Sequence, residues 1–270
     1  MVSTVLNTDV KQMKMSCLQK DADRAVVVAV TSRAVFESGA EGDDGDEVYK
    51  VGTAFPLLQA LQRVNARLLE ENPAESLLFD VILVTTDLEQ QQQSSRIISS
   101  TRHYGLEVSK FSFSGTEDFI ESLLTNNVRL FLSTDRNEAS HASQNGVLSA
   151  LLDQNLASCP SEQLRVLFCG DAVIRSNISP MPVSQQATQS FSAQLGEMRQ
   201  RFGMFDSPLS MVLMTARGGR ESCSAALLTL RSQGVSVDEA YCLAGAPRGP
   251  ILSLIRPHFL LSNSLSDLEE

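Results

Sequence analysis

The sequence predicts an α/β fold with a doubly wound parallel sheet, and two observations carry that prediction. First, short apolar runs rich in valine, leucine and phenylalanine recur along the chain, at residues 25–30, 79–84, 128–132, 165–168, 211–214 and 259–261. Such runs are typical of strands that are buried on both faces. Second, helical patterns separate the runs. Strands that alternate with helices form βαβ units, whose ligands bind at the carboxyl ends of the strands.

One segment between two strands shows the helical pattern clearly. Within residues 55–69 the apolar side chains recur at helical spacing, at Phe55, Leu58, Leu61, Val64 and Leu68. We expect Thr53 to cap the start of this helix, and Asn72 followed by Pro73 to end it.

The two halves of the sequence present the same order of elements at an offset of about 130 residues. The matched positions are residues 80–86 and 211–215, Gly105 and Gly234, Gly115 and Gly245, and residues 129–133 and 258–262. The match predicts one βαβ plan used twice, arranged either as two similar lobes or as one extended sheet. A chance match between ordinary alternations of strand and helix is the alternative.

This pattern divides the chain into three parts. Residues 1–24 are predicted to be an N-terminal extension, residues 25–150 a first α/β half, and residues 151–270 a second half that carries the candidate site. Residues 176–208, which are rich in Ser, Gln, Pro and Met, show little strand pattern. We expect them to form a small cap over the strand ends.

Composition excludes several classes of function. The chain has 32 acidic and 22 basic residues and a formal net charge of −10, which disfavours nucleic acid as a partner. Its five cysteines show no C-x-x-C spacing, which argues against a disulfide framework and against a zinc site. No apolar stretch is long enough to span a membrane, and the first residues lack a signal-peptide pattern. We therefore expect a cytoplasmic protein without a membrane partner.

Four strand ends carry polar groups suited to phosphate chemistry. Cys169 and Asp171 follow one strand, Thr215 and Arg217 follow the next, Arg248 lies in a glycine-rich and proline-rich turn, and Ser262 with Asn263 follows the last strand. Because the carboxyl ends of parallel strands meet at one edge of a sheet, we expect these side chains to converge.

These segments resemble the cytosolic type I 5'-nucleotidases, which belong to the haloacid dehalogenase-like phosphatases. The resemblance covers nearly the whole chain. It rests on residues 29–36 (AVTSRAVF), 52–56 (GTAFP), 245–250 (GAPRGP) and 255–258 (IRPH), together with the strand ends above. It implies a Rossmann-like fold with a cap and a Mg²⁺-dependent hydrolase of nucleoside 5'-monophosphates such as AMP. Hydrolysis in such enzymes passes through an aspartyl-phosphate intermediate.

The resemblance also assigns roles to individual residues. The family's first motif is Asp-x-Asp, in which the first aspartate attacks phosphorus and binds Mg²⁺, and the second acts as acid and base. Cys169 stands in place of the first aspartate, and Asp171 is the second. Thr215 matches the hydroxyl that holds a phosphoryl oxygen, and Arg217 follows it as in the family. Arg248 replaces a lysine that the resemblance places at this turn, so a cation is kept there.

The last motif of the family is a pair of metal-binding aspartates, and Ser262 and Asn263 occupy these positions. Asp171 and Asn263 would remain as metal ligands. Because Mg²⁺ prefers anionic oxygen ligands, we expect it to bind weakly and hydrolysis to be weak or absent. The alternative is a protein that binds nucleotide without hydrolysis, or that regulates active relatives by joining them in homo-oligomers or hetero-oligomers.

Other candidate residues are weaker. Cys169 and Arg175 have the C-x5-R spacing of tyrosine-type phosphatases, but an aspartate inside that loop would repel phosphate. The three histidines, His103, His141 and His258, are too dispersed for a ligand cluster. In the first half, Thr31, Ser32 and Arg33 could contact a ligand if the halves face each other, and Asp87 and Asp135 could replace missing metal ligands.

Overall fold

The computed structural model of the protein describes residues 24–37, 48–86, 93–115, 118–152, 162–173, 183–203, 206–216 and 220–262. The strands are β1 Val26–Thr31, β2 Phe36–Glu37, β3 Lys50–Val51, β4 Phe79–Thr85, β5 Lys110–Phe113, β6 Leu130–Ser133, β7 Ser149–Leu151, β8 Leu164–Cys169, β9 Leu209–Thr215, β10 Glu239–Cys242 and β11 Phe259–Leu261. The helices are α1 Ser32–Val35, α2 Phe55–Glu71, α3 Ser94–His103, α4 Phe119–Thr125, α5 Arg136–Gln144, α6 Gly170–Val173, α7 Val183–Gln200, α8 Arg220–Ser232 and α9 Gly249–Ile255.

The first half of the chain forms a parallel sheet of five strands in the order β5-β4-β1-β6-β7. The central strand β1 pairs with β4 on one side and with β6 on the other, so that Val28 lies between Val81 and Leu130. The strand order reverses beside β1, which is the mark of a doubly wound sheet. Every residue of β1 is buried, as the apolar run in the sequence predicted.

The second half forms a parallel sheet of four strands in the order β10-β9-β8-β11. This order repeats the first four strands of the first sheet, with β8 in the place of β1. The registers also correspond, because Thr31 pairs with Val84 as Cys169 pairs with Met214. The structure therefore confirms the internal repeat. The halves form two sheets that share one hydrophobic core, to which Val28, Leu132, Val166 and Leu213 all contribute.

Helix α2 forms close to the predicted residues 55–69 and is hydrogen-bonded to the first sheet. It begins after Ala54 instead of at a side-chain cap from Thr53, and it ends at Asn72. Its buried Asn65 donates from Nδ2 to the carbonyl of Phe79 and accepts from the N–H of Phe79, both at 2.8 Å. These two bonds hold the helix at the start of β4.

The region predicted to be a cap has a different role where the structure describes it. Residues 183–200 form helix α7, which connects β8 to β9. Phe191, Leu195 and Met198 of this helix are buried in the shared core. The helix is therefore the crossover of a βαβ unit, because its apolar face is needed to cover the sheet. The domain boundaries drawn from the sequence stay a prediction.

Candidate active site

The carboxyl ends of the second sheet bring the predicted site residues to one edge. Strand β8 ends at Cys169, β9 ends at Thr215, and Ser262 follows the end of β11. Because β8 pairs in parallel with both β9 and β11, the three ends are aligned. The sheet therefore brings Cys169, Thr215 and Ser262 together at one edge, as the sequence predicted for these residues.

The Asp171 carboxylate is held by the neighbouring strand end. The Ser262 hydroxyl donates a hydrogen bond of 2.9 Å from Oγ to Asp171 Oδ2. Asp171 is exposed in the short helix α6, which begins directly after β8. A serine that faces a carboxylate in this way occupies the position where the family resemblance places a metal-binding aspartate.

Cys169 forms no disulfide and is turned away from solvent, with 4% of its surface exposed. It packs in an apolar cluster with Met214, Ile255 and Leu260. A thiol in such surroundings behaves as a small apolar side chain.

Gly170 lets β8 and β9 approach closely at the site. A Cβ added to Gly170 would lie 2.8 Å from Thr215 Cγ2 and 3.3 Å from Thr215 Cβ. A larger residue would therefore displace Thr215. Glycine at this position keeps the threonine at the end of β9 directly beside the start of α6.

Thr215 is 3% exposed, and its hydroxyl has no hydrogen-bond partner within the described residues. Nearby, burial of the Cys223 thiol of α8, followed by the neighbouring Cys242, raises the pKa of Cys223. A buried hydroxyl without a satisfactory partner is costly, and sites that bind ligands are one place where it occurs.

The turn that carries Arg248 is fastened to the same edge. The N–H of Leu243 donates to the carbonyl of Thr215, and the N–H of Gly245 donates to the carbonyl of Ala216, both at 2.9 Å. Arg248 itself is half-buried at the start of α9. The structure thus places this cation in a turn that begins beside Thr215. Arg217 and Asn263 lie outside the described residues.

The described residues do not gather the ligands that Mg²⁺ prefers. No group of three His, Cys, Asp or Glu side chains suited to a metal ion occurs among them. At the edge itself, Asp171 is accompanied by a hydroxyl and by a buried thiol. Mg²⁺ favours hard anionic oxygens in octahedral geometry, so this donor set does not fit the ion.

At the corresponding edge of the first sheet, the polar side chains form hydrogen bonds and ion pairs with one another. The buried carboxylate of Glu138 accepts hydrogen bonds from Arg33, from Thr86 (2.6 Å) and from Ser133 (2.6 Å). Asp135 caps helix α5 by accepting from the N–H of Asn137 at 2.7 Å. These contacts assign Arg33 and Asp135 to structural roles. Asp87, the other candidate replacement ligand, lies outside the described residues.

One feature near the site was not predicted from the sequence. Cys223 and Cys242 lie beside Thr215, although the cysteines are scattered in the sequence. Cys242 ends β10 and is the register partner of Thr215, so pairing of the strand ends could have revealed it. At the opposite, amino end of β8, His258 is largely buried, and its Nδ1 accepts a hydrogen bond of 3.0 Å from the N–H of Arg165.

A cavity of about 780 Å³ lies at the opposite, amino end of β8 and β9. Its charged lining is Arg63, Arg67, Glu70, Glu162, Arg165 and Asp206. Three cations are thus matched by three carboxylates, and Arg67 already pairs with Asp206 at 2.8 Å. This cavity is separate from the strand ends that carry the site.

A model of the 5'-nucleotidase family matches residues 41–194 and 178–270. The chain belongs to this family. Human cytosolic 5'-nucleotidase 1B is 34% identical over an alignment of 248 residues, and the match covers 81% of this chain and 40% of that relative. This 5'-nucleotidase chain therefore spans less than half the length of the relative that it matches. The family indicated by the sequence motifs is confirmed.

Solved structures add little to the description of this 5'-nucleotidase chain. A short-chain dehydrogenase/reductase from Serratia marcescens aligns with 82% of this chain and 98% of its own, at 7% identity and a TM-score of 0.25. A short-chain dehydrogenase from Salmonella enterica aligns with 86% and 100%, at 8% identity and a TM-score of 0.24. Both scores are too low to carry an argument.

Within the described residues, no helix is long and apolar enough to cross a membrane.

Proposed function

We propose that this chain binds nucleoside 5'-monophosphates in the cytosol and hydrolyses them weakly or not at all. The observation that carries the proposal is which residues occupy the carboxyl edge of the second sheet. Cys169 occupies the position of the attacking aspartate and is buried among apolar side chains, and Ser262 occupies that of a metal-binding aspartate. The human relative is a cytosolic 5'-nucleotidase, which supports the proposed substrate class and location.

Binding would depend on groups that the chain has kept. The Thr215 hydroxyl has no partner within the described residues, so it is available to a phosphoryl oxygen. Arg217 follows it two residues later in the sequence, and Arg248 would add a second cation from the neighbouring turn. Hydrogen bonds between cations and phosphate are among the stronger polar contacts in proteins.

Hydrolysis would be limited at its first step. Transfer of a phosphoryl group to an enzyme carboxylate needs an oxygen nucleophile in line with the leaving group and cations that neutralise the developing charge. A buried thiol replaces that oxygen. Asp171 remains to exchange a proton with the leaving ribose oxygen, with its Oδ2 oriented by Ser262.

The metal would contribute little to this site. In the family, Mg²⁺ supplies charge neutralisation for the phosphoryl group when it is bound. The donors of the described edge do not fit this ion, so no step of the proposed function depends on it. We infer that removing Mg²⁺ with a chelator changes the affinity for AMP less than twofold, a free-energy change of about 0.4 kcal/mol.

Calorimetry with AMP tests the binding part of the proposal. Thr215→Val removes the hydroxyl and keeps the shape of the side chain, so we expect the Kd for AMP to rise about tenfold or more. Thr85→Val is the matched control, because Thr85 has the equivalent position in the first sheet and donates to Ser32 at 2.9 Å. This control should leave the affinity unchanged. Equal losses in both variants would contradict the assignment of Thr215.

Phosphate release from AMP in the presence of Mg²⁺ tests the catalytic part. We expect the triple substitution Cys169→Asp, Ser262→Asp and Asn263→Asp to raise turnover well above that of the wild type, because it returns the carboxylates of the family pattern. Adding Asp171→Asn to these three should abolish the gain. A wild-type turnover within about tenfold of an active relative would overturn the proposal.

Failure of both AMP binding and the triple substitution would favour the alternative role. The chain would then act as a regulatory partner of active 5'-nucleotidases, through homo-oligomers or hetero-oligomers. Co-purification with an active relative measures this directly.

A further inference from the structure

Two thiols meet at the carboxyl edge of the second sheet, next to Thr215. Cys242 is the last residue of β10 and the register partner of Thr215, so the two side chains lie side by side on one face of the sheet. Cys223 lies in helix α8 and packs in the core that covers this face. Helix α8 packs against both β9 and β10, which places Cys223 close to Cys242, and both are free cysteines.

The two thiols differ in their access to solvent. Cys242 is exposed, whereas Cys223 is 7% exposed. Burial, followed by the contact with Cys242, raises the pKa of the Cys223 thiol. A dissolved reagent therefore reaches Cys242 first. The buried Cys223 thiol then lies next to the Cys242 sulfur that has reacted, which is the arrangement of a resolving cysteine.

We propose that Cys223 and Cys242 form a reversible intramolecular disulfide by exchange with a small-molecule disulfide such as oxidised glutathione. The Cys242 thiolate attacks one sulfur of the reagent, a mixed disulfide forms, and one reduced thiol leaves. The Cys223 thiolate then attacks Cys242 Sγ, the mixed bond breaks, and the second reduced thiol leaves. The protein loses two hydrogens and two electrons, and the reagent is reduced to two thiols.

The product would connect helix α8 directly to the end of β10. A disulfide bond is about 2.05 Å long, so the two sulfurs must approach each other to that distance. This movement occurs beside Thr215, which is the register partner of Cys242. The disulfide would therefore change the surroundings of the Thr215 hydroxyl, to which the proposed function assigns phosphate binding.

Peptide mapping of the full chain tests the proposal. Trypsin cleaves after Arg220, Arg231 and Arg248, so Cys223 and Cys242 fall on separate peptides. After incubation of the native, reduced protein with oxidised glutathione, we expect these two peptides to be joined, and reduction to separate them. Absence of the joined peptide while Cys242 carries glutathione would overturn the proposal.

Variants show whether the folded protein selects this pair. In Cys223→Ser, Cys242 should remain as the mixed disulfide with glutathione, and in Cys242→Ser, Cys223 should stay reduced. Cys169→Ser is the matched control, because it removes a third buried thiol and should leave the joined peptide unchanged. If urea-denatured protein forms the same pair with equal yield, the fold does not select it and the proposal fails. The readout is independent of AMP binding, so its failure and that of the proposed function are distinguishable.

Discussion

His258 lies at the start of β11, where its Nδ1 accepts a hydrogen bond from the N–H of Arg165. Burial of the ring, together with the nearby cations Arg165 and Arg63, lowers the pKa of His258 from its ordinary value of 6.5 to about 4. The folded protein therefore holds this imidazole in its neutral form. The unfolded chain takes up a proton at a higher pH than the folded chain does.

The sign and size of the effect on stability follow from these two pKa values. Above pH 6.5 neither state carries the proton, and the contribution to stability is fully present. As the pH falls from 6.5 towards 4, only the unfolded chain binds the proton, so the free energy of unfolding decreases by about 1.4 kcal/mol per pH unit. The loss attributable to His258 is about 2.5 kcal/mol at pH 4.5 and approaches about 3 kcal/mol below pH 4.

Urea unfolding at pH 7.5, 5.5 and 4.5 measures this loss in the wild type and in His258→Asn. The asparagine oxygen can accept the hydrogen bond from Arg165, but the side chain does not titrate. Between pH 7.5 and 4.5 the wild type should lose about 2.5 kcal/mol more than the variant. Other histidines and carboxylates cancel in this comparison. An equal pH dependence in both proteins would refute the reasoning.

Two further predictions concern packing. Gly170→Ala should lower the free energy of unfolding by about 1–3 kcal/mol and weaken AMP binding, because the added Cβ would lie 2.8 Å from Thr215 Cγ2. Gly203→Ala is its control, since the Cβ there meets nothing within 4 Å, and similar losses in both variants would contradict the argument. Asn65→Ala should cost about 2–4 kcal/mol in urea unfolding, because it removes two buried hydrogen bonds to the backbone of Phe79. A loss below about 1 kcal/mol would show that these bonds do not hold α2 on the sheet.

The metal-binding part of the site differs most from the family pattern. Ser262 donates to Asp171, where the family resemblance expects a second carboxylate beside the first. A hydroxyl and a carboxylate at 2.9 Å satisfy each other without a cation. Two carboxylates at that distance would repel each other unless a cation lay between them. The Ser262–Asp171 hydrogen bond therefore agrees with the proposed weak binding of Mg²⁺.

The sequence by itself determined the fold class, the repeat and the set of strand ends. Apolar runs and helical spacing are local patterns, and they report burial of strands and helices whatever the rest of the chain does. Thus β1 and β9 are buried at every residue, as their composition predicted. The positions of Cys169, Thr215 and Ser262 at strand ends follow from the same patterns.

Only the tertiary structure decided which of these residues touch. Asp171 and Ser262 are 91 residues apart in sequence, and their contact depends on β11 pairing beside β8. Helix α7 proved to be a crossover instead of a cap, because its apolar face fills the shared core. The meeting of Cys223 with Cys242 likewise depends on how α8 packs over β10. Sheet order and helix packing arise from burial shared among distant segments, which local sequence patterns do not encode.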